Sequence, residues 1–500
     1  MLLLEGTFPF VGGGVSNWVN QLIHGFPQLT FGICFLGSQK IDYGPPKYVL
    51  PDNVVHMEQH FIMDRIEHKN IRSQRGNKCA FAQMRTMHEA MRAYSTHHVQ
   101  NNLIDAAKEI LPLLRDGNVM DEAAFLYSEE SWHYVEEQYH EFCTDPSFVD
   151  YFWTVRLMHA PVWSLSRIAE SLIPARCYHT VSTGYAGFLG TLLKQKTGRP
   201  LILSEHGIYT KERKIDLFQS TWIRDNRGVF EKDASQLAYL RDTWIRFFET
   251  IGRMCYEASD AIVALYETNR LRQIHDGAPA MRTQNISNGI ELATLAALRR
   301  HRHDAIPPVL CLIGRVVPIK DIKTFIRAMR TVINLRPDAE GWIAGLEDED
   351  PAYAAECHSV VKSLGMQGKI KFLGYQRIDE LMPHIGLVIL SSISEALPLV
   401  LLEGFAAGVP SVTTDVGACR QLIFGLDAED QALGAAGDVV GIAEPEDLAR
   451  AAVALLNDSE RWHAAQAAGI ARVERYYTDR IMLEKYKRLY EQAFARSLKS

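Results

Sequence analysis

Between residues 309 and 425, short apolar runs alternate regularly with stretches whose apolar residues recur at helical spacing. This alternation predicts β-strands joined by helices, and each strand–helix unit adds one strand to a parallel sheet. Five such units in about 115 residues predict a doubly wound sheet with helices on both faces. The predicted strands are Val309–Ile313, Gly341–Ala344, Lys369–Leu373, Leu387–Leu390 and Pro410–Thr413, and the predicted helices are Ile322–Leu335, Pro351–Leu364, Ile378–His384 and Leu399–Ala407.

The start of the chain predicts a second sheet of the same kind. A strand at Leu2–Leu4 is followed by the glycine loop Gly12–Gly14, a stretch with helical spacing and a strand at Thr30–Leu36. This strand–helix–strand order again favours parallel pairing. Further strands are predicted at Arg176–Val181, Pro200–Ser204, Ala261–Leu265 and Gln284–Ser287, with a long helix over Ser235–Ser259.

Residues 56–175 have few strand signals and many aromatic, His and Glu residues, so we predict a helical insertion there, including a helix over Arg85–Ile110. The pair Pro307-Pro308 marks the best domain boundary. The fold class is therefore α/β, with two facing Rossmann-like domains and the helical insertion in the first. The predicted domains are residues 1–305 and 306–475, followed by a helix at 476–500 that packs back on the first. Ligands of such sheets bind at the carboxyl ends of the strands, so we expect the active site in the cleft between the domains.

Composition excludes several classes of protein. The 500 residues are 47% hydrophobic, which is ordinary for a globular chain, and 53 Lys and Arg stand against 60 Asp and Glu. A net charge of −7 argues against a nucleic-acid partner. The eight cysteines form no paired motif, and no apolar run approaches a membrane span. The first residues lack a basic leader, so we expect a cytoplasmic protein, with recruitment to the inner membrane only through partners.

Two cations follow the first strand of the second sheet. Arg315 and Lys320 lie in the stretch Gly314–Asp321, directly before a predicted helix. Arg offers a planar fork and Lys a mobile point charge, and a helix N-terminus beside them favours anions. The stretch suits a diphosphate, although an exposed basic turn would have the same composition.

Two carboxylates frame the start of a later helix. Glu395 lies in a loop and Glu403 lies inside the helix that we expect to begin at Pro398. The residues between them are nearly all apolar, so the two acids do not belong to one solvated face. Such carboxylates could accept the hydroxyls of a sugar and of a ribose. The alternative is a helix cap and an edge residue.

Two features of the first domain are weaker candidates for binding. Gly13 and Gly14 permit close approach of a ligand, but Gly12–Asn17 lacks the third glycine of a dinucleotide fingerprint, and a plain flexible turn is equally consistent. His206 ends a predicted strand, where a cleft residue belongs. A lone histidine is more often structural than functional.

Metal binding is not favoured by either candidate pattern. Asp348-Glu349-Asp350 resembles an Asp-x-Asp ligand pair, but it precedes Pro351 at a predicted helix start, where acidic residues are common. His56 and His60 have the spacing of a helical zinc face. We interpret them instead as part of a helical surface without metal.

Taken together, three segments resemble glycosyltransferase family 4, whose members are retaining enzymes of the GT-B fold. They are GRVVPIKD from Gly314, ISEALPLVLLEGFAAGVPSV from Ile393 and GGGVSNWV from Gly12. ASDAIVALYETNR, ISNGIE and IKFLGY follow the family's order. The opening LLLEGTFPFVGGGVSNWVNQL and SEHGIYTKER resemble, more narrowly, the branch that serves Pel exopolysaccharide synthesis in bacteria.

The resemblance implies a role for each candidate residue. Arg315 and Lys320 would hold the donor diphosphate and stabilise the departing nucleotide. Glu403 would bind the ribose, Glu395 would contact the donor sugar, and His206 would bond to the transferred sugar. The remaining donor contacts implied by the family fall on Gly13, Gly14, Tyr375 and Leu399. The chain departs from the family in Ala396 and Gly404, which blurs the choice of sugar.

The resemblance therefore implies transfer of a hexose from a nucleotide sugar, with a UDP-sugar expected, to a growing exopolysaccharide. The family needs no metal or other cofactor. The expected partners are the nucleotide sugar, an oligo- or polysaccharide acceptor and a membrane synthase complex. Two alternatives remain open: a non-catalytic sugar-nucleotide-binding component of such a complex, and a GT-B epimerase acting on the UDP-sugar itself.

Overall fold

The computed structural model describes residues 1–64, 74–93, 102–115, 117–227, 238–302 and 305–497. Parts of two predicted helices, residues 94–101 and 235–237, lie outside the described residues. The described chain groups into two compact units. The first comprises residues 1–264, 270–284 and 487–500, and the second comprises 265–269 and 285–486.

The first unit is built on a sheet of seven strands in the order β3-β2-β1-β4-β5-β6-β7. Every strand pair from β3 to β6 is parallel, as the strand–helix alternation predicts. The central strands are apolar and buried because helices cover both faces of such a sheet. The strands are β1 (Leu2–Glu5), β2 (Phe31–Gly37), β3 (Val54–Phe61), β4 (Tyr178–Thr180), β5 (Leu201–Glu205), β6 (Ala261–Ala264) and β7 (Thr283–Asn285).

Between β3 and β4 the described residues form helices that share one apolar core with the sheet. Aliphatic, aromatic and Met side chains make up that core, and buried Trp163 donates a hydrogen bond to the backbone of Met120. The helices between β3 and β4 are α2 (Lys78–Ala93), α3 (Asn102–Ile110), α4 (Glu122–Tyr127), α5 (Glu129–Phe142) and α6 (Phe148–Ser171). The other helices of this unit are α1 (Gly14–Gly25), α7 (Tyr185–Thr197), α8 (Tyr209–Gln219), α9 (Tyr239–Ala258) and α10 (Glu267–His275), of which residues 267–269 group with the second unit.

The second unit has six parallel strands in the order β10-β9-β8-β11-β12-β13. The strands are β8 (Val309–Ile313), β9 (Glu340–Ala344), β10 (Ile370–Gly374), β11 (Leu387–Leu390), β12 (Ser411–Thr414) and β13 (Gly437–Val440). The helices of this unit are α11 (Leu292–Ala297), α12 (Ile322–Leu335), α13 (Pro351–Ser363), α14 (Ile378–Leu381), α15 (Leu399–Ala406), α16 (Cys419–Phe424), α17 (Ala428–Gln431), α18 (Pro445–Asn457) and α19 (Ser459–Tyr476). The last helix, α20 (Asp479–Ser497), begins in this unit, and its residues from 487 on group with the first unit. Short 3₁₀ turns lie at Lys40–Asp42, Leu111–Leu114, Ala280–Arg282, Leu298–His301, Pro318–Lys320 and Met382–His384.

Two sequence-based interpretations are wrong in detail. The stretch predicted to be helical from residue 56 begins with strand β3, so His56 and His60 lie on a strand and not on a helical surface. Both imidazoles bond to Glu58, at 2.7 and 3.0 Å. Burial raises the pKa of Glu58, but these two bonds outweigh it and lower the pKa overall. The second sheet also has a sixth strand, β13, that the alternation did not indicate.

In the part of the chain that the structure describes, no helix combines the length and the apolar character needed to span a bilayer.

Candidate functional site

The turn after β8 presses against the turn after the neighbouring strand β9. The Gly314 amide donates to the carbonyl of Ala344 at 2.9 Å, and the Val316 amide donates to Leu346 at 2.9 Å. A Cβ atom at Gly345 would lie 1.8 Å from the Gly314 carbonyl oxygen, so only glycine fits there. This contact fixes the backbone from which Arg315 projects at the carboxyl edge of the second sheet.

Lys320 ends a 3₁₀ turn that leads into α12. Asp321 takes a left-handed conformation with φ of 43° and caps α12 by accepting from the Thr324 amide at 3.3 Å. From the neighbouring strand end, the Ser391 hydroxyl bonds to the carbonyls of Lys320 and Asp321 at 2.9 and 3.0 Å. The Ile393 amide donates to Ile319 at 2.9 Å. The turn and the loop after β11 are therefore held together.

This junction brings Lys320 and Glu395 into contact. The ammonium of Lys320 lies 2.5 Å from Oε1 of Glu395, which also accepts a bond from the Ser392 hydroxyl at 2.6 Å. The two side chains are only 21% and 14% exposed, so the pair is partly shielded from solvent. A lysine held by one acceptor keeps two further N–H donors for a ligand.

Arg315 is paired differently. Its guanidinium lies 2.5 Å from the carboxylate of Glu349, and both side chains are at least half exposed. Asp350, from the same acidic triplet, caps α13 by accepting from the Tyr353 amide at 3.0 Å. Among the described residues no cluster of His, Cys, Asp and Glu has the arrangement of a metal site. Glu349 therefore takes part in an ion pair, and Asp350 caps a helix.

Glu403 lies in the second turn of α15 and is half-buried. Burial raises the pKa of this carboxyl, and none of the described residues donates to it or pairs with it. Leu399 is the first residue of the same helix. Tyr375, 72% exposed, follows Gly374 (φ of 64°) at the end of β10. Tyr375 therefore follows the carboxyl end of β10, whereas Leu399 and Glu403 lie in the helix after β11, and strands β9 and β8 lie between these two strands in the sheet.

Sequence reasoning missed one residue of this edge. Gly417 follows β12 with a φ of 52°, and a Cβ atom there would lie 2.3 Å from the Glu395 carbonyl oxygen. The Ala418 amide donates to the carbonyl of Ala396 at 2.8 Å. The turn after β12 therefore supports the loop that carries Glu395. The segment Thr414–Gly417 offered only a glycine after an apolar run as a signal.

In the first unit, Gly13 and Gly14 form the exposed start of α1. Gly13 has a φ of 152° and precedes the first helical residue, Gly14. A Cβ atom at either position would meet nothing within 4 Å. Packing therefore does not require these glycines, and they leave the backbone amides of a helix N-terminus accessible.

His206 lies directly after β5 and is buried against the indole of Trp18, with ring centroids 4.6 Å apart. Burial lowers the pKa of His206 to about 4, so the imidazole is neutral near pH 7. Its Nε2 atom is buried and has no hydrogen-bond partner. A buried polar atom without a partner costs stability unless a ligand or water satisfies it.

A cavity of about 470 Å³ opens beside His206 at the carboxyl end of the first sheet. One wall is Glu5, whose carboxylate accepts from the Ala186 amide at 3.0 Å and the Tyr209 hydroxyl at 3.1 Å. Arg213 in turn donates to the Tyr209 hydroxyl at 3.0 Å. The cavity is thus lined by oriented polar groups of both signs, which suits a polyhydroxylated ligand.

Glu205, next to His206, was also missed. It is fully buried and accepts from four donors, and burial raises its pKa to about 7. The donors are the Thr183 and Tyr256 hydroxyls, the Tyr209 amide and the Gln273 side chain, at 2.8–3.2 Å. These bonds hold the turn that carries His206.

Comparison with known proteins gives a family match in each half of the chain. Residues 307–458 match the family described as glycosyl transferases group 1. Residues 1–281 match the family described as domain of unknown function (DUF3492). Since this second match covers more than half of the chain, the protein belongs to that family, and the matched region is followed by the segment that is similar to glycosyl transferases group 1.

Individual relatives agree with this placement. The chain is 31% identical over 166 residues to a lipopolysaccharide core biosynthesis mannosyltransferase of Rhizobium meliloti, which covers 33% of this chain and 46% of that protein. The chain spans about half the length, or less, of the curated relatives that it matches.

Among solved structures, sucrose-phosphate synthase from Thermosynechococcus elongatus aligns with a TM-score of 0.54 at 16% identity over 99% of both chains. The Anabaena protein HepE in complex with UDP aligns with a TM-score of 0.51 at 16% identity, over 66% of this chain and 82% of that one. Two parallel α/β sheets together with these neighbours establish the GT-B fold.

Proposed function

We propose that the protein is a retaining glycosyltransferase of family 4 that transfers a hexose from a UDP-sugar to a growing exopolysaccharide of the Pel kind. The observation that carries the proposal is the contact of Lys320 with Glu395 at the carboxyl edge of the second sheet, beside the start of α12. A cation and a carboxylate in contact suit a ligand that carries both phosphates and hydroxyls.

The donor diphosphate would be bound by Lys320 and Arg315. Both cations are already paired with carboxylates, Glu395 and Glu349, so binding would exchange or share these partners. Charge develops on the diphosphate as the sugar leaves, and cations fixed in advance stabilise that charge where it forms. We propose that this arrangement supplies the leaving-group stabilisation without a metal.

The rest of the donor would follow the same edge. Glu403, which has no partner among the described residues, would accept two ribose hydroxyls, and Glu395 would accept hydroxyls of the transferred sugar. Exposed Tyr375 would contact the base, and Leu399 begins the helix whose backbone amides would bind the phosphates.

In the first unit we propose that the cavity beside His206 binds hydroxyls of the transferred sugar. The neutral imidazole would bond through Nε2, which has no partner in the protein. Gly13 and Gly14 would contribute amides from the start of α1. Attack of the acceptor on the face from which the diphosphate leaves retains the configuration. The proposal extends to a polysaccharide acceptor and to recruitment by a membrane synthase complex.

Calorimetry with UDP-glucose, UDP-galactose and UDP-N-acetylglucosamine tests the donor site. We expect one of them to bind, and Lys320→Ala to weaken its binding by about tenfold or more, since a charged hydrogen bond is lost. Lys323→Ala is the matched control because Lys323 lies three residues on and pairs with exposed Glu356. Absence of binding by all three sugars refutes the donor proposal.

Proton NMR of the reaction mixture tests catalysis. We expect hydrolysis or transfer of the sugar with the anomeric configuration of the donor, and its loss in Glu403→Ala. Inversion of configuration would refute a retaining mechanism. Conversion of the nucleotide sugar into its epimer without any acceptor would favour the epimerase instead.

A further inference from the structure

The helices that cover the first sheet enclose a second cavity, of about 200 Å³, which the proposed transfer reaction does not use. Its walls come from α2, α5, α6 and α9. Tyr134, Tyr151 and Tyr239 provide aromatic walls, and Val155 and Met158 provide aliphatic ones. The cavity is also lined by polar side chains, which form two sets of hydrogen-bonding groups.

One set of these polar groups is fully paired. The Val155 carbonyl can only accept, so His159 Nδ1 must donate to it across 2.7 Å. Burial lowers the pKa of His159 to about 4, and the neutral ring then accepts at Nε2 from His88, 2.9 Å away. His88 accepts in turn from the Tyr134 hydroxyl at Nδ1. This chain runs in one direction and leaves none of its ring nitrogens open to a ligand.

The second set is not fully paired. Arg92 donates through Nη1 to Oε1 of Gln138 at 2.7 Å, and its guanidinium lies 3.8 Å over the ring of Phe142. Its Nη2 and the Nε2 of Gln138 are buried and have no hydrogen-bond partner. Gln138 is only 2% exposed. Two donors from neighbouring side chains therefore lack an acceptor.

The cavity contains a positive charge that no carboxylate of the described residues neutralises. Asp242 is the carboxylate in its wall, but it accepts from Arg246 at 2.6 Å. Arg92 forms no ion pair among the described residues. A half-buried guanidinium without a counterion is costly, and an anion removes that cost.

We propose that this cavity is a binding site for a small organic carboxylate. The carboxylate would accept from Nη2 of Arg92 and Nε2 of Gln138, and its apolar or aromatic body would lie among the three tyrosines. A free volume of about 200 Å³ limits the ligand to a small molecule. Inorganic phosphate matches the charge but not the apolar walls, so it should bind more weakly.

Thermal unfolding and calorimetry with benzoate, butyrate and inorganic phosphate test the site. We expect benzoate or butyrate to raise the Tm and to bind, because a ligand that prefers the native state stabilises it. Arg92→Met should weaken binding by about tenfold or more. Arg85→Met is the matched control, since Arg85 lies on the same helix and pairs with Glu137 at the surface.

Gln138→Glu separates binding from folding. The new carboxylate would occupy the place of the ligand and accept from Arg92, so this variant should keep its Tm and lose the effect of benzoate and butyrate. The inference is wrong if neither carboxylate stabilises the unmodified protein, if phosphate stabilises it as much, or if Gln138→Glu responds as the unmodified protein does. None of these readouts depends on the transferase activity.

Discussion

Acidification should destabilise the first unit through His159. This imidazole is buried, and burial lowers its pKa to about 4 in the folded protein, against about 6.5 in an unfolded chain. Because the unfolded chain binds the proton more tightly, the stabilising contribution is complete above pH 6.5. It decreases as the pH falls towards 4.

The two pKa values fix the magnitude. Between about pH 7.5 and pH 5, an unfolded histidine gains nearly a full proton while folded His159 stays almost neutral. The linkage relation then gives a loss of about 2 kcal/mol in the free energy of unfolding. His88, whose pKa burial also lowers, adds a loss of the same sign.

Urea unfolding followed by tryptophan fluorescence at the two pH values measures this loss. Six of the eight tryptophans lie in the first unit, so the signal reports mainly on that unit. We expect His159→Gln to reduce the pH-dependent loss by about 2 kcal/mol. Exposed His133 on α5 provides the control, since His133→Gln should leave the loss unchanged. If the free energy of unfolding of His159→Gln decreases between the two pH values as much as that of the unmodified protein, a buried neutral His159 is refuted.

Three further predictions concern the second unit. Glu349→Gln releases Arg315, and UDP should bind a few-fold more tightly by calorimetry, since an exposed ion pair contributes up to about 1 kcal/mol. Arg472→Met removes a fully buried guanidinium that bonds to Asp430 and to backbone carbonyls, and should lower the free energy of unfolding by about 3–5 kcal/mol in urea titrations. Gly417→Ala should abolish most transferase activity because its Cβ would displace the loop that carries the candidate carboxylate.

The alternation of apolar runs and helical stretches was enough to predict most of the second sheet. Helix α12 and strands β8 and β11 have the predicted bounds, and β9, β10 and β12 differ by at most one residue at either end. These elements are buried on both faces or amphipathic, so the pattern and the packing impose the same structure.

The elements that the sequence did not indicate lie at sheet edges. Strand β3 is only partly buried and contains His56, Glu58 and His60, so its polar residues resemble the helical region that follows. Strand β13 is four residues long and begins with a glycine. Edge strands pair on one side only, and a short polar sequence there depends on its neighbour for its conformation.

In the candidate site, the sequence likewise predicted some features and not others. Arg315, Lys320, Glu395 and Glu403 were predicted because each lies in the loop after a strand or in the helix that follows it, and the pattern indicates the positions of both. The pairing of Lys320 with Glu395, across 75 positions of sequence, depends on the contact between two turns, and spacing does not encode it. The local sequence therefore shows which charged residues lie at the sheet edge, but the pairing of these residues depends on the folded structure.

That choice of partner changes how diphosphate binding should be understood. Arg315 and Lys320 contribute two positive charges, and Glu349 and Glu395 cancel both, so these four side chains have no net charge before any ligand binds. Under the proposed function, a diphosphate would therefore gain little from the net charge of these side chains. It would gain from N–H donors that are already oriented, namely the two unused protons of Lys320 and the amides at the start of α15. Glu395 is then best placed to accept sugar hydroxyls, because a phosphate that shares Lys320 leaves part of the carboxylate open.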